Sequence, residues 1–167
     1  MLGGIGNVVR NLSTLASNTH LVSMTGDDEI SKKVEKKLNQ INCFKKIIKD
    51  SKRPTTTKSR FIANNQQILR VDNEDVSEIN KNIEEKIFLF SKKKILETDA
   101  IIISDYNKGL ITPNLLKKII SFSKKNNKSI VLDPKSSNYE KYKGVTIITP
   151  NINELELVSK RKFSNDK

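Results

Sequence analysis

The second half of the chain alternates between short β-branched runs and helical segments, and this alternation restricts the possible folds more than any other feature. The runs lie at residues 100–104, 129–132 and 146–149, and none of them alternates apolar with polar residues. Strands of this kind are typical of a parallel sheet covered on both sides by helices. Between the first two runs, Thr112 is expected to cap a helix that has Pro113 at its first position. The pattern predicts an α/β fold.

The first half of the chain predicts two helices with one strand between them. The first helix follows a glycine-rich turn and is marked by Val8, Val9, Leu12, Leu15 and Ala16. A short strand is predicted at residues 21–24. The second helix covers residues 30–41 and follows Asp27 and Asp28, which suit a helix N-terminus as cap and as charge. A third amphipathic helix is predicted at residues 79–90, just before the alternating half.

Residues 43–72 have a different character, which predicts a β-hairpin. Two β-rich runs, 55–63 and 66–71, meet at Asn64 and Asn65, and asparagine tolerates the positive φ of a tight hairpin turn. Period-two alternation places Lys58 and Arg60 on one face of the first run. On the second run it places Ile68, Arg70 and Asp72 on one face. The segment is therefore expected to form a flap that carries cations, and alternation leaves open which face points inward.

The net charge of +12, from 31 Lys and Arg against 19 Asp and Glu, raises the question of nucleic-acid binding. Only five of the basic residues are arginine. The lysines occur in pairs or triplets, on segments whose pattern also predicts the solvent-exposed faces of helices. Arginine is the better reader of bases and phosphates. We therefore expect no nucleic-acid partner and interpret most of the charge as solvated helix surface.

The cysteine, histidine and apolar content exclude several other classes of protein. Cys43 and His20 are the only residues of their types, so an internal disulfide and a cysteine-based zinc site are excluded, and any metal is expected on oxygen ligands. No apolar run exceeds four residues, which excludes a membrane-spanning helix of about 20 residues. The first residues show no secretion signal, and a cytoplasmic location is expected.

Polar clusters follow each of the three late strands. They are residues 104–109, 133–135 and 150–154. Ligands of open α/β sheets bind beyond the carboxyl ends of the strands. The clusters there supply the carboxylates of Asp105, Asp133 and Glu154, the amide of Asn151 and the ammonium groups of Lys108 and Lys135. This mixture suits Mg²⁺ and phosphate. The alternative is that Asp105, Asp133 and Asn151 only cap turns and helices.

Several motifs of this sequence resemble those of a known family. Gly3-Gly4-Ile5-Gly6-Asn7 before an apolar helix resembles the first signature of the ribokinase-like (carbohydrate kinase) superfamily, and Asn151-Ile152-Asn153-Glu154 matches its N-x-x-E motif. A sharper set is Pro54-Thr55-Thr56-Thr57-Lys58, Asn65-Gln66-Gln67 with Arg70 and Asp72, Ser104-Asp105-Tyr106 with Lys108-Gly109, Asp133-Pro134-Lys135 and Thr149-Pro150-Asn151. In order and spacing this set resembles the family of D-glycero-β-D-manno-heptose 7-phosphate kinases, over residues 3 to about 163. Such kinase domains are often fused to an adenylyltransferase.

The resemblance implies a doubly wound, mostly parallel α/β kinase core with a small β-hairpin lid. It implies transfer of the ATP γ-phosphate, with Mg²⁺, to the anomeric hydroxyl of the heptose 7-phosphate, on the route to ADP-heptose and lipopolysaccharide core. The sugar phosphate would be bound by Gly3, Gly4, Asn7, Lys58, Arg60, Gln67, Arg70, Asp105 and Lys108. ATP would be bound by Lys135, Asn151, Ile152, Asn153 and Glu154, with Glu154 also acting on the metal through water. The resemblance further implies a homodimer of the full-length form, formed through the lid.

The sequence departs from this family in one important respect. The Gly-Ala-Gly-Asp type loop, to which the family's catalytic Asp and anion hole belong, does not occur in these 167 residues, and no strand precedes the glycine turn. Residues 1–167 are therefore expected to be a partial kinase domain, truncated at both ends, with a lid insertion at about 43–72, and to be inactive alone because phosphoryl transfer needs a positioned base. Two alternatives remain, a non-catalytic sugar-phosphate-binding or regulatory protein and a kinase for another sugar.

Overall fold

The computed structural model describes residues 1–15, 18–136 and 138–163, and the chain divides into two compact units, Met1–Ser77 and Glu78–Lys167. Unit 1 contains α1 (Ile5–Thr14), β1 (His20–Gly26), α2 (Glu29–Leu38), β2 (Phe44–Asp50), β3 (Thr57–Ala63) and β4 (Gln66–Asn73). Unit 2 contains α3 (Lys81–Leu96), β5 (Ala100–Ser104), α4 (Pro113–Lys125), β6 (Ser129–Asp133), a 3₁₀ helix (Tyr139–Tyr142), β7 (Ile147–Ile148) and α5 (Ile152–Ser159). The predicted α/β fold is confirmed. Among the described residues, no helix combines the length and the apolar character needed to cross a membrane.

Unit 1 is built on a parallel pair of strands, β1 and β2, that are in register from His20 opposite Phe44 to Gly26 opposite Asp50. Its core consists of Leu2, Val9, Leu21 and Leu38. β2 was not predicted, and its residues were assigned to the hairpin segment, because only two of the seven strand residues are buried and the run has no strong apolar signal. The predicted first helix ends at Thr14, and the predicted helical position Ala16 lies outside the described residues.

The hairpin of β3 and β4 is present, and its turn lies at Asn64 and Asn65 as predicted. These two residues have φ values of 48° and 63°, the positive values that a two-residue turn of this type requires. Almost every residue of both strands is exposed. The ladder shifts register between Phe61 and Ile62, so that Ile68 is passed over and Gln67 pairs with Ile62. This irregularity changes which β4 residues share a face with β3 residues.

Unit 2 contains a three-stranded parallel sheet in the order β5, β6, β7, which confirms the predicted parallel arrangement of the late strands. The helix α4 packs on β6 and on α3. Leu115, Leu116 and Leu132 are fully buried in this core. The opposite face of the sheet, which carries Ile102 and Ile147, is exposed. At its carboxyl edge the sheet ends in three loops, after residues 104, 133 and 148, where the polar clusters predict ligand binding.

The end of α4 nearest these loops is fixed by a buried carboxylate. Thr112 caps α4 as predicted, because its Oγ1 accepts a hydrogen bond from the Leu115 N–H at 3.0 Å. The same hydroxyl donates to Glu84 Oε2 at 2.6 Å, and the Asn114 amide also donates to Glu84. Glu84 is buried on α3. The two helices of unit 2 are therefore joined by hydrogen bonds as well as by apolar packing.

Candidate active site

The glycine turn at the start of α1 is accessible on the side of Gly3. A Cβ added to Gly3 would meet no atom within 4 Å, whereas one added to Gly6 would lie 2.8 Å from Cβ of Leu2. Gly4 has φ 50°, in the left-handed region that favours glycine, and it precedes the helix without a side-chain cap. Asn7 is exposed in the first turn of α1. A ligand could therefore come close to the backbone at Gly3 and also reach the exposed side-chain amide of Asn7. Sugar binding is predicted at this turn.

The register shift gathers the four predicted lid residues on one face of the hairpin. Lys58 and Arg60 alternate along β3, and Arg60 lies directly opposite Arg70 on β4. Because Ile68 is passed over, Gln67 occupies the position opposite Ile62, on the same face as Arg60 and Arg70. Strict alternation predicts Ile68 at this position, and in the structure the ladder passes over Ile68 so that Gln67 takes the paired position. We call this surface the cationic face of the hairpin (Lys58, Arg60, Gln67, Arg70).

One carboxylate on the cationic face organises two of its cations. Arg70 donates to both oxygens of Asp72, from Nε at 2.8 Å and from Nη2 at 2.7 Å, and Lys58 Nζ lies 2.6 Å from Asp72 Oδ2. The hydrogen bonds from Arg70 and then Lys58 hold the pKa of Asp72 well below its usual value. Asp72 is thus ionised at neutral pH, yet the two arginines still face each other across the ladder. Arg70 is paired with Asp72, whereas Arg60 has no ion pair among the described residues, so the face is suited to an anion beside Arg60.

The base of the hairpin is held by a cluster that sequence reasoning missed. Asp28 caps α2 by accepting the Ser31 N–H at 2.8 Å, and its carboxylate also accepts the N–H and the hydroxyl of Thr55, each at 2.8 Å. Gly26 N–H donates to Thr55 Oγ1 at 3.0 Å. The hydrogen bond from the Thr55 N–H is the largest cause of the lowered pKa of Asp28. Asp28 and Thr55 are 27 positions apart, and no local pattern signals such a pair.

In unit 2 the structure brings together the predicted nucleotide-binding residues at the start of α5. Asn151 Oδ1 accepts the Glu154 N–H at 3.0 Å, and Glu154 Oε2 accepts the Asn151 N–H at 2.8 Å, which is a reciprocal capping box. The other oxygen of Glu154 accepts a hydrogen bond from Lys135 Nζ. Ile152 and Asn153 are exposed in the first helical turn. Asn151 therefore caps a helix, as the alternative interpretation of this residue predicted. The N-terminus of a helix with a lysine beside it is also suited to binding phosphate.

The protonation of this group follows from its contacts. Burial alone would raise the pKa of Glu154, but the hydrogen bonds from Lys135 and the Asn151 N–H outweigh it, and the net effect lowers the pKa. The hydrogen bond to Glu154 raises the pKa of Lys135, and the charge of Asp133 adds to this. Both groups are charged at neutral pH. Glu154 therefore carries the negative charge that a metal ligand needs, and Lys135 the positive charge that a phosphate partner needs.

Asp105 is engaged inside unit 2. It is only 2% exposed. Its Oδ2 accepts from Tyr142 Oη at 2.7 Å and lies 2.8 Å from Lys141 Nζ, and its Oδ1 accepts the Asn107 N–H at 2.8 Å. The turn-capping alternative thus applies to Asp105, and its predicted contact with the sugar stays a prediction. Sequence reasoning missed Tyr142 and Lys141, which lie 37 and 36 positions further along.

Among the described residues, no group of three or more His, Cys, Asp or Glu side chains is arranged to hold a metal ion. Mg²⁺ commonly uses only one or two carboxylates together with substrate phosphates and water. The ionised Glu154 fits such a site. The protein's own contribution would then be a single carboxylate, with phosphate supplying further ligands.

Parallel strands joined by helices, with cations and a capped helix at the loops that follow them, are typical of α/β proteins that bind phosphate-containing ligands at this edge of the sheet. In agreement with this, phosphofructokinase-2 from Escherichia coli superposes with a TM-score of 0.69 at 15% identity, covering 98% of this chain and 54% of that chain. Ribokinase from Giardia lamblia superposes with a TM-score of 0.66 at 14% identity, covering 88% of this chain and 45% of that chain. These likenesses show the fold, which is ribokinase-like.

The sequence comparisons define the family. The model of the pfkB family carbohydrate kinases matches residues 1–167, and the chain belongs to this family. It is 39% identical over 157 residues to the bifunctional protein HldE of Aliarcobacter butzleri, covering 93% of this chain and 33% of that protein. It is 41% identical over 156 residues to HldE of Helicobacter pylori strain Shi470, covering 93% of this chain and 34% of that protein. The chain thus spans about a third of the length of these curated relatives.

Proposed function

We propose that these 167 residues are part of a kinase that phosphorylates the anomeric hydroxyl of D-glycero-β-D-manno-heptose 7-phosphate, on the route to ADP-heptose. The observation that carries the proposal is the cationic face of the hairpin, where a register shift places Gln67 beside two opposed arginines. A phosphate beside Arg60 would accept charge-assisted hydrogen bonds from it, next to the Arg70 that Asp72 holds in place. The similarity to the bifunctional HldE proteins over 93% of the chain supports this substrate. The requirement for ATP implies a cytoplasmic location.

In this proposal, unit 1 recognises the sugar phosphate from two places. The accessible backbone at Gly3 and Gly4 and the exposed amide of Asn7 bind sugar hydroxyls. Lys58, Arg60, Gln67 and Arg70 bind the 7-phosphate or the hydroxyls next to it. Asp72 keeps Lys58 and Arg70 extended along the strand before the substrate arrives. Sugars without the 7-phosphate would lack the charge-assisted hydrogen bonds to this face and would bind more weakly.

Unit 2 is proposed to bind the nucleotide. Lys135 and the N-terminal turn of α5 (Asn151, Ile152, Asn153) would contact the ATP phosphates, and Lys108 with Asp105 would lie at the substrate edge. Bound Mg²⁺ would neutralise charge on the phosphates during transfer, and Glu154 would hold it through water. Lys135 is already hydrogen-bonded to Glu154, so the lysine and the carboxylate are pre-oriented for their two roles.

The proposed reaction breaks the bond between the γ-phosphorus and its bridging oxygen to ADP, and forms a bond to the anomeric oxygen. The proton of the anomeric hydroxyl passes to a base, which the family resemblance assigns to a Gly-Ala-Gly-Asp loop that these 167 residues do not contain. We therefore expect the 167-residue chain to bind heptose 7-phosphate and MgATP in calorimetry and to form no ADP. Heptose-dependent ADP formation by this chain would contradict the second expectation, and failure to bind either ligand would contradict the proposed function.

Replacing Arg60 by glutamine is expected to weaken the binding of heptose 7-phosphate by roughly tenfold or more, since a charge-assisted hydrogen bond to phosphate contributes about 1.5–3 kcal/mol. The measurement is isothermal titration of the sugar phosphate at two salt concentrations. The control is Arg10→Gln, which removes the same charge from an exposed position on α1. Equal losses in both variants would mean that only net charge matters and that Arg60 makes no specific contact.

The opposite face of the hairpin supports a proposed homodimer. Phe61, Leu69 and Val71 share that face and are 54%, 53% and 45% exposed, an unusual state for an apolar surface on a two-stranded sheet. We propose that a second copy of the hairpin covers it.

Phe61→Asp is then expected to shift the mass in light scattering from a dimer to the 19.0 kDa monomer. Leu89→Asp, at an exposed position on α3, is the control and is expected to leave the dimer intact. A monomeric unmodified chain at tens of micromolar would refute the dimer.

A further inference from the structure

The 3₁₀ helix Tyr139–Tyr142 forms hydrogen bonds to two loops, and each of these loops carries a lysine that is predicted to bind phosphate. The first loop follows β5 and contains Asp105 and Lys108, and the second follows β6 and contains Lys135 and Ser136. The Tyr142 hydroxyl donates to Asp105 Oδ2 at 2.7 Å and accepts the Ser136 N–H at 3.3 Å. One oxygen atom of a residue outside both loops therefore bridges them.

Lys141 reinforces this bridge from the same 3₁₀ helix. Its ammonium lies 2.8 Å from Asp105 Oδ2 and 5.0 Å from the centroid of the Tyr142 ring, and its side chain is only 9% exposed. A buried ion pair contributes little net stability, because both charges lose their hydration, but its hydrogen bonds fix a geometry. The Asp105 carboxylate receives two donors from the 3₁₀ helix and one from its own loop, at Asn107. Each contact fixes the position of the carboxylate more closely.

The first loop has a specific shape that this carboxylate anchors. Asn107 and Gly109 both have positive φ, 53° and 72°, on either side of Lys108. At the start of the loop the Asn107 N–H is held by Asp105, and at its end the Gly109 carbonyl accepts the Ile79 N–H at 3.0 Å. In the second loop, Lys135 immediately precedes the anchored Ser136 N–H. One backbone N–H next to each lysine, that of Asn107 and that of Ser136, is thus held by Tyr142 directly or through Asp105.

We propose that Tyr142 and Lys141 are positioning residues that set the separation of the Lys108 and Lys135 loops for binding phosphate ligands, and that Asp105 serves this arrangement. The inference rests on the proposed function, because it assumes that Lys108 and Lys135 meet the sugar phosphate and the nucleotide. It assigns a role to two residues outside the recognised motifs. Burial raises the pKa of Tyr142, and the hydrogen bond to Asp105 raises it further, so the hydroxyl remains a donor throughout the neutral range.

The decisive variant is Tyr142→Phe, which removes the bridging oxygen and keeps the ring. Its control is Tyr139→Phe on the same 3₁₀ helix, because the Tyr139 hydroxyl is buried and has no hydrogen-bond partner among the described residues. In the 167-residue chain, Tyr142→Phe is expected to weaken MgATP binding by about tenfold in calorimetry and to accelerate amide hydrogen exchange at Asn107 and Ser136. Tyr139→Phe is expected to change neither quantity.

A second pair of variants guards against simple unfolding. Lys141→Met removes the ammonium group and is expected to weaken MgATP binding in the same way, while Lys141→Arg keeps a cation beside Asp105 and is expected to lose less affinity than Lys141→Met. All titrations are made well below the melting temperature of each variant. A lower melting temperature with unchanged affinity and unchanged exchange at both amides would show a merely structural role and overturn the inference.

The two proposals fail in different ways. If the unmodified chain binds neither MgATP nor heptose 7-phosphate, the proposed function is refuted. Hydrogen exchange at Asn107 and Ser136 then still decides whether Tyr142 positions the loops. If the unmodified chain binds both ligands and Tyr142→Phe binds them equally well, the proposed function survives and the positioning role is refuted.

Discussion

Replacing Gly26 by alanine is expected to lower the free energy of unfolding of unit 1 by about 3–5 kcal/mol, from overpacking together with lost hydrogen bonds. The added Cβ would lie 2.6 Å from the carbonyl oxygen of Arg53, 2.6 Å from the Thr55 nitrogen and 2.9 Å from Asp28 Oδ2. Two of these atoms belong to the backbone and cannot rotate away. Separating the strand from the hairpin base would break the hydrogen bond that the Gly26 N–H donates to Thr55 and the one that the Thr55 N–H donates to Asp28.

The matched control is Gly3→Ala, because its added Cβ meets no atom within 4 Å. Urea unfolding followed by circular dichroism, together with hydrogen exchange on β1, compares the two variants, and Gly3→Ala is expected to change stability by less than about 0.5 kcal/mol. The proposed function adds a second contrast, since Gly3→Ala is expected to weaken sugar binding in a folded protein. Equal stability of the two variants would show that the hairpin base yields to the added methyl group.

Replacing Arg53 by methionine is expected to destabilise unit 1 by about 3–5 kcal/mol, because the change leaves the Asp50 carboxylate buried without its cation. Arg53 Nε lies 3.0 Å from Asp50 Oδ2, and both side chains are only 7% exposed. Arg53 Nη2 also donates to the Ser77 carbonyl at 3.2 Å, beyond the end of β4. The same side chain therefore ties the segment before the hairpin to the segment after it.

Lys49→Met provides the comparison for this second variant. Lys49 forms more exposed ion pairs with Asp27 at 3.8 Å and Glu35 at 3.5 Å. Exposed pairs contribute about 1 kcal/mol or less, so Lys49→Met is expected to unfold at nearly the same urea concentration as the unmodified chain. If Arg53→Met were as stable as Lys49→Met, the buried pair would not stabilise the hairpin base.

Local signals predicted much of the fold correctly. The Asn64-Asn65 turn, the Thr112 cap and the unbroken β-branched runs each act within a few residues, so their structural consequences can be recognised in the sequence. The strand β2 was missed because its identity comes from pairing with β1 rather than from its own pattern. Likewise, one passed-over residue, Ile68, reverses the alternation in part of β4, and alternation alone cannot locate such an irregularity.

Some features of the candidate site could likewise be predicted from the sequence, and others depend on contacts made only in the folded chain. The sequence by itself determined which residue types follow the strands, because the order of strands and helices sends their carboxyl ends to one edge of a parallel sheet. Only the tertiary structure decided that Asp105 is buried under Tyr142 and Lys141, that Asp28 holds Thr55, and that Gln67 joins the arginines. These contacts join residues far apart in the chain or depend on the register between strands. Their energies come from burial and hydrogen-bond geometry that exist only once the chain has folded.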